Sequence, residues 1–271
     1  MINEGRSELK YAVRVEHRDA ILAGAATYVR ADPHANLLHE FLPELMDTEG
    51  EPPRGYRVCS LYLDTENLHG YTERLAEARI RNRVRVRTYG VPGQNSAVFL
   101  EAKRKLAQRV IKHREKICTC DEWASFDAQH PWREAVAAAE DSRHFGERWL
   151  NAVDGPQMYP VCRVTYIRET WIDGSSRLTL DHKIQASSNP APTDLQGYCD
   201  VDLIPEGWMV LELKFNGAEP PWMRRLVQTM HLAAEPVSKF ALGVVKTRRA
   251  DHTSELRYLT PPSILRARGA A

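Results

Sequence analysis

The 271-residue sequence contains no uninterrupted apolar run of 18 residues, so no helix is expected to cross a membrane. It opens Met-Ile-Asn-Glu-Gly-Arg-Ser-Glu, without the apolar stretch of a secretory signal. Cysteine is scarce, with five residues at 59, 118, 120, 162 and 199. An odd count with no Cys-x-x-Cys pair argues against a disulfide framework and predicts free thiols in a reducing, cytoplasmic setting. Cys118-Thr119-Cys120 is expected at a strand end. No glycine-rich phosphate loop of the GxxxxGK kind, no HExxH and no dinucleotide fingerprint is present. The ten histidines are scattered, and His17, His113 and His182 are expected on strand or helix surfaces. Excess charge of either sign is also missing. The formal net charge is +1, unlike the overall basic character of proteins that coat duplex DNA.

What the chain does have is ordinary globular composition, 43% apolar and 27% charged, with one concentrated block of positive charge. Residues 79–116 carry twelve Lys/Arg and two carboxylates, so the rest of the chain is net acidic. A focused field inside an acidic body suits a small, dense anion. The basic residues also alternate. Arg81, Arg83, Arg85 and Arg87 are separated by Asn82, Val84 and Val86, and a strand sends such a set to one face. Glu101, Lys103 and Lys105 repeat the pattern, as do Lys112, Arg114 and Lys116.

Alternation predicts further strands at 8–16, 57–63, 159–172, 177–184 and 208–215, with the basic strands at about 79–90, 97–105 and 107–118. Asp173-Gly174 marks a tight hairpin turn. Helices are expected at 17–30, 66–77, 221–232 and 238–247. Short helices are expected within 121–151, broken at Pro131, with Trp123, Trp132 and Trp149 in the core. Residues 43–55 and 186–207 read as loops. The result is an α+β chain whose eight strands each have an apolar and a charged side. Closing an eight-stranded antiparallel sheet into a β-barrel removes its edges and leaves room for side chains or one small ligand. With charged sides inward, the apolar outer wall is covered by helices. Residues 1–250 form one domain, and 251–271 read as a tail, mobile at its end.

The inward cations are then Lys10, Arg83, Arg85, Arg87, Lys103, Lys105, Lys112, Arg114, Arg168, Arg177 and Lys214. Strands lie about 4.8 Å apart, and like charges at that range repel by about 1 kcal/mol in water and several-fold more at a protein site. A phosphate chain relieves this repulsion, and the planar arginine fork binds phosphate oxygens in pairs. Glu8, Glu101, Asp181 and Glu212 share the same faces. They are either divalent-metal ligands, Glu212 foremost and Glu8 and Glu101 behind it, or counter-ions to a Lys on their own strand; for Glu101 the two readings weigh equally. Ser60 and Tyr62 are equally phosphate donors or packed wall. Only Tyr89 interleaves with the arginine face, so nucleic acid is not an expected partner.

Several stretches resemble the VTC-type polyphosphate polymerases, a branch of the triphosphate tunnel metalloenzymes of CYTH-like kind. They are Glu8-Leu-Lys-Tyr, Ser60-Leu-Tyr-Leu-Asp-Thr, Arg83-Val-Arg-Val-Arg-Thr-Tyr-Gly, Phe99-Leu-Glu-Ala-Lys-Arg-Lys, Val110-Ile-Lys-His-Arg, Arg163-Val-Thr-Tyr-Ile-Arg, Arg177-Leu-Thr-Leu-Asp, Leu211-Glu-Leu-Lys-Phe and Ser238-Lys-Phe. They run in family order over residues 8–240. The resemblance implies a tunnel that takes ATP and moves its terminal phosphoryl group onto a growing polyphosphate chain, assisted by Mn2+ or Mg2+. It implies that Lys10, Arg85, Arg87, Lys103, Arg168 and Arg177 act on the phosphates, that Ser238 and Lys239 bind substrate, and that Glu212 holds the metal. Hydrolytic members of the superfamily begin Glu-x-Glu-x-Lys, whereas here Arg6 precedes Glu8 and Lys10, which favours a polyanion product over water activation. The rivals are a tunnel tripolyphosphatase or nucleoside triphosphatase, a related cyclase, and a non-catalytic polyphosphate binder. The sensor domain and membrane helices of eukaryotic relatives are not seen, so any coupling to a membrane is expected through a separate partner. Nothing in the residues sets an oligomeric state.

Overall fold

The computed structural model describes residues 6–33, 55–90, 96–106, 109–126, 131–138, 158–187, 190–195, 197, 199–247 and 253–269. Its strands are β1 (Arg6–Arg14), β2 (Arg30–Ala31), β3 (Tyr56–Thr65), β4 (Ile80–Tyr89), β5 (Ala97–Leu106), β6 (Arg109–Thr119), β7 (Met158–Ile172), β8 (Ser176–Ser187), β9 (Val201–Asp202) and β10 (Trp208–Asn216). Eight of them form one antiparallel sheet in the order β1-β10-β8-β7-β3-β4-β5-β6, while β2 adds to β7 and β9 to β8. No ladder joins β6 to β1 among the described residues. Lys103 of β5 nevertheless comes within 3.8 Å of Glu8 of β1, so side chains bridge the curled sheet. The architecture is the expected α+β tunnel barrel.

The apolar sides face outward and are covered in two places. Leu61, Leu63, Val84, Val86, Val98 and Leu100 bury against Trp123 and Trp132. The covering helices are α1 (Arg18–Ala25), α2 (His69–Leu75), α3 (Cys120–Ser125) and α4 (Pro131–Ala138), the last carrying Trp132. On the other half, Tyr11, Val13, Leu178, Leu180, Met209, Leu211 and Leu213 bury against Ile21 of α1 and against Trp222, Met223 and Leu226 of α5 (Pro221–Thr229). Each such side chain contributes about 1.5–3 kcal/mol, which keeps the charged faces turned inward. Local signals end the elements. Thr119 and Glu122 make a reciprocal capping box at the start of α3. Asp173 accepts from the backbone N–H of Ser175 and Ser176, both at 2.7 Å, and closes the β7–β8 hairpin.

A third cluster lies on the inner face. Tyr62, Cys162, Val164, Tyr166, Ile184 and Ala186 pack on Phe240, Ala241 and Val244 of α6 (Lys239–Thr247). The approach is close: a Cβ at Gly243 would lie 2.9 Å from Cys162 Sγ. The inner faces of β7 and β8 thus become apolar beyond Arg168 and Asp181.

Several local expectations are corrected. The first strand runs from Arg6 to Arg14, and a 3-10 turn follows at Val15–His17. The first helix stops at Ala25, and Arg30–Ala31 pairs with Trp171 and Ile172 at the end of β7. Alternation along 177–184 puts Lys183 on the face of Asp181 and Ile184 on the other, but the β7–β8 register shifts and Lys183 takes φ +45°, which turns Ile184 inward. Residues 253–269 form α7 (Thr253–Leu259) and α8 (Pro262–Gly269), where the sequence reads as a tail. Leu259 and Ile264 are buried there, and this apolar burial orders the segment. Nearly all of the expected 43–55 loop, and the helical region from 139 to 151 with Trp149, lie outside the described residues. The five cysteines are buried free thiols, and Cys118-Thr119-Cys120 sits at the end of β6. Among the described residues no helix is long and apolar enough to cross a membrane.

Candidate functional site

The strand registers assemble the site. Arg83 and Arg85 of β4 stand opposite Lys103 and Glu101 of β5, which stand opposite Lys112 and Arg114 of β6. On the other side, Ser60 and Tyr62 of β3 pair with Arg87 and Arg85. Across the sheet, Lys10 faces Glu212, Glu8 faces Lys214 and Arg168 faces Asp181. These side chains surround an inner cavity of about 240 Å³ whose lining has ten Lys/Arg and three Glu. An outer cavity of about 630 Å³ shares Glu8, Lys10, Arg83, Lys103 and Lys112 with it and adds Arg74, Arg81 and Lys105.

The carboxylates organise the cations into groups. Asp181, with no exposed surface, accepts a fork from Arg168 at 2.6 and 2.7 Å and a bond from Lys239 Nζ at 2.5 Å. Glu212 contacts Lys239 at 3.2 Å, Arg168 at 3.4 Å, Lys10 at 3.4 Å and also Lys214. Glu101 holds Arg85 at 2.6 Å and Arg87 and Arg114 at 3.5 Å. Glu8 holds Lys10 at 3.2 Å. The ligand-free tunnel is therefore less self-repelling than a count of cations implies. Own-strand pairing holds for Glu8 with Lys10 and Glu212 with Lys214. Glu101 instead takes Arg85 and Arg114 from the two neighbouring strands, because the antiparallel register puts them directly opposite.

The titration behaviour follows the geometry. Burial pushes the Glu212 carboxyl up, but Lys10, Lys214, Lys239 and Arg168 outweigh it and hold the group well below the usual carboxylate range. Burial likewise opposes ionisation of Glu101, yet Arg85 and Arg87 bring it down to about 2. Burial lowers Lys103 and Lys214 to about 8, against the opposing pull of Glu8 on Lys103 and Glu212 on Lys214. The Tyr62 phenol is lowered although burial raises it, because Arg85, Arg87 and Arg83 dominate. A buried phenol that ionises more readily than a free one, against the effect of burial, reports a positive field in the cavity.

Most of the sequence-selected residues converge. Lys10, Arg83, Arg85, Arg87, Lys103, Lys112, Arg114, Arg168, Lys214, Lys239 and Tyr62 line the inner cavity, and Lys105 and Ser238 the outer one. Three differ. Arg177 lines neither cavity; its side chain is 42% exposed and lies 3.9 Å from Asp32. Ser60 Oγ is spent on Arg87 Nε at 3.0 Å. Ser238 Oγ accepts from Ala241 N at 3.3 Å and opens α6. Asp181, placed by period among the inward carboxylates, is a counter-ion, but to Arg168 of the neighbouring strand and Lys239 of α6 and not to a Lys of its own strand. Arg74 and Glu77 come from α2 and its end, Glu235 from a loop, and no local pattern marks them.

A metal is the remaining question. Among the described residues no three Asp, Glu, His or Cys side chains gather into a ligand cluster. Glu8 and Glu212 both contact the Lys10 amine, whereas Glu101 belongs to the Arg85 group. Two ionised carboxylates with strongly favoured anionic forms fit a hard divalent ion that draws its other ligands from phosphate and water.

A curled antiparallel sheet with an apolar exterior, helical cover and a charged lumen is a tunnel-type barrel. The sequence profile of the VTC domain matches residues 5–248, and the chain belongs to the VTC domain family. Among solved structures, a candidate adenylate cyclase from Vibrio parahaemolyticus aligns with TM-score 0.39 and 12% identity, covering 94% of this chain and 99% of that one. A candidate adenylate cyclase from Bacillus halodurans gives 0.44 and 11%, covering 86% and 95%. A candidate adenylyl cyclase from Hippeastrum, for which a dominant triphosphatase activity is described, gives 0.41 and 14%, covering 91% and 99%. A search of curated proteins finds no sequence match.

Proposed function

We propose that this chain is a polyphosphate polymerase that transfers the terminal phosphoryl group of ATP to a growing polyphosphate chain in its tunnel. The observation that carries this reading is the pair of cavities sharing Lys10, Arg83, Lys103 and Lys112. A triphosphate in the inner cavity and an elongating polyanion in the outer one are then bound by one continuous set of cations. The Arg6 position, where hydrolytic relatives carry a glutamate, supports the same direction.

Phosphoryl transfer of this kind needs positioning and charge neutralisation more than covalent chemistry. Arg168 is held flat by its fork to Asp181, and Arg85 by Glu101, so their guanidinium groups are oriented before substrate arrives. Lys239 and Lys10 meet at Glu212 and offer amines to a phosphate from two sides. Arg177 lines neither cavity and lies by Asp32, so it is given no part in the transfer. Glu212 and Glu8 would hold Mn2+ or Mg2+, which supplies Lewis-acid neutralisation of phosphate oxygens.

The test is incubation with ATP and Mn2+, with the products resolved by gel and chromatography. Long-chain polyphosphate is expected, and a chelator removes it. Orthophosphate or cyclic nucleotide as the sole product overturns the polymerase reading in favour of a tunnel hydrolase or cyclase. Tight polyphosphate binding without turnover leaves only a binder.

A further inference from the structure

We infer that Glu235, gripped by the C-terminal helix α8, is a positioning residue for two tunnel amines, Lys10 and Lys239. The inference rests on the proposed function only in assigning phosphate to those amines.

The family match ends at residue 248, and α7 and α8 lie beyond it. The Glu235 side chain is only 4% exposed. Its carboxylate accepts from Ser263 N at 2.8 Å and Ser263 Oγ at 2.7 Å, with Arg266 at 3.6 Å. These partners all come from α8. A buried carboxylate deprived of them is costly, so the contact determines where residue 235 sits.

The main chain carries that position into the tunnel. Glu235 N donates to Lys10 O at 2.8 Å. Two residues later, Val237 O accepts from Lys10 Nζ at 3.2 Å. Ser238 opens α6, and Lys239 reaches Asp181 and Glu212. Residues 232–238 have no regular secondary structure, so such side-chain and main-chain bonds set their path. Five consecutive residues, Glu235 to Lys239, thus connect α8 to both amines.

The same C-terminal segment grips the opposite wall. Tyr71 donates to Glu255 at 2.7 Å and Tyr258 donates to Glu77 at 3.1 Å. Tyr71 lies in α2, and Glu77 lines the outer cavity beside Arg74. Leu259 and Ile264 bury in the core shared with Tyr71 and Phe240. The segment therefore ties the loop before α6 to α2 across the outer cavity.

The test uses the full chain carrying Glu235→Ala, Glu235→Gln or Ser263→Ala, each assayed well below its own Tm. Calorimetry gives the Kd for tripolyphosphate, and steady-state assays give kcat and KM for ATP. Glu235→Ala should weaken tripolyphosphate binding and lower kcat, each by about tenfold, the scale expected when a contacting group shifts by a fraction of an ångström. Glu235→Gln keeps an acceptor for Ser263 and should restore both to within about threefold. Should Glu235→Ala fail to fold, Ser263→Ala carries the test, with an expected loss of about threefold in affinity. Wild-type affinity and kcat in folded Glu235→Ala or Ser263→Ala, with only Tm lowered, overturn the inference. Failure of the wild type to bind tripolyphosphate would instead sink the functional reading, so the two failures are distinct.

Discussion

Replacing Asp181 with asparagine preserves shape and removes one buried charge. Arg168 and Lys239 then lose their shared counter-ion and are left with Glu212, which also contacts Lys10 and Lys214. Removing one partner of a buried, hydrogen-bonded ion group costs about 3–5 kcal/mol. At a few degrees per kcal/mol for a chain of this size, Tm should fall by roughly 10 °C at pH 7. Tripolyphosphate supplies negative charge to the same cations, so saturating ligand should raise the Tm of Asp181→Asn by more than it raises that of wild type. The pH dependence adds a sign. Burial raises the Asp181 carboxyl, but Arg168 and Lys239 outweigh it and hold the folded-state value below the ordinary one. Its contribution is therefore complete above the unfolded value near 3.8 and is lost as pH falls through the lower folded value, so the wild-type advantage persists at neutral pH and shrinks only in strong acid. Thermal melts with and without tripolyphosphate at pH 7 suffice. If ligand-free Asp181→Asn melts within 2 °C of wild type, about 1 kcal/mol or less, or if both proteins gain equally from the ligand, the paired-cation account of the tunnel is wrong.

Lys103 and Lys214 are lowered to about 8 by burial, so both lose charge as pH rises through 8, and tripolyphosphate affinity should fall between pH 7 and 9. Over the same rise the unfolded chain binds more protons than the folded one, so these two groups make the free protein more stable as pH climbs from 8 toward 10.5; affinity and stability moving together would refute the assignment. Trp132 of α4 is 1% exposed against the outer wall of β4 and β5. Trp132→Ala should cost about 3–5 kcal/mol in chemical denaturation while leaving tripolyphosphate Kd within about twofold, and a large change in Kd would show that the outer wall does more than cover.

The arginine alternation from 81 to 87 was decisive because a strand leaves side-chain direction no freedom beyond a period of two. It specified which residues share a face, and with Val84 and Val86 opposite it also specified which face needs helical cover. The same logic located Lys10, Lys103, Arg168 and Glu212. It failed at Lys183, where an unpredictable bulge reverses the parity. Ser60 was placed on the correct face without revealing that Arg87 takes its hydroxyl. Arg177 likewise shares its strand's parity, yet its position along the barrel sends it toward Asp32.

By itself, then, the order of residues determined the strands, the sign of the charge on their inner faces and the family, because those depend on period, composition and local pattern. Only the tertiary structure decided which carboxylate neutralises which cation, which cations line both cavities, and that residues 253–269 fold back to hold Glu235 and α2. Those outcomes depend on strand stagger and on contacts between groups far apart in the chain, down to Lys239 meeting Asp181, and distances of that kind have no signature in a linear sequence.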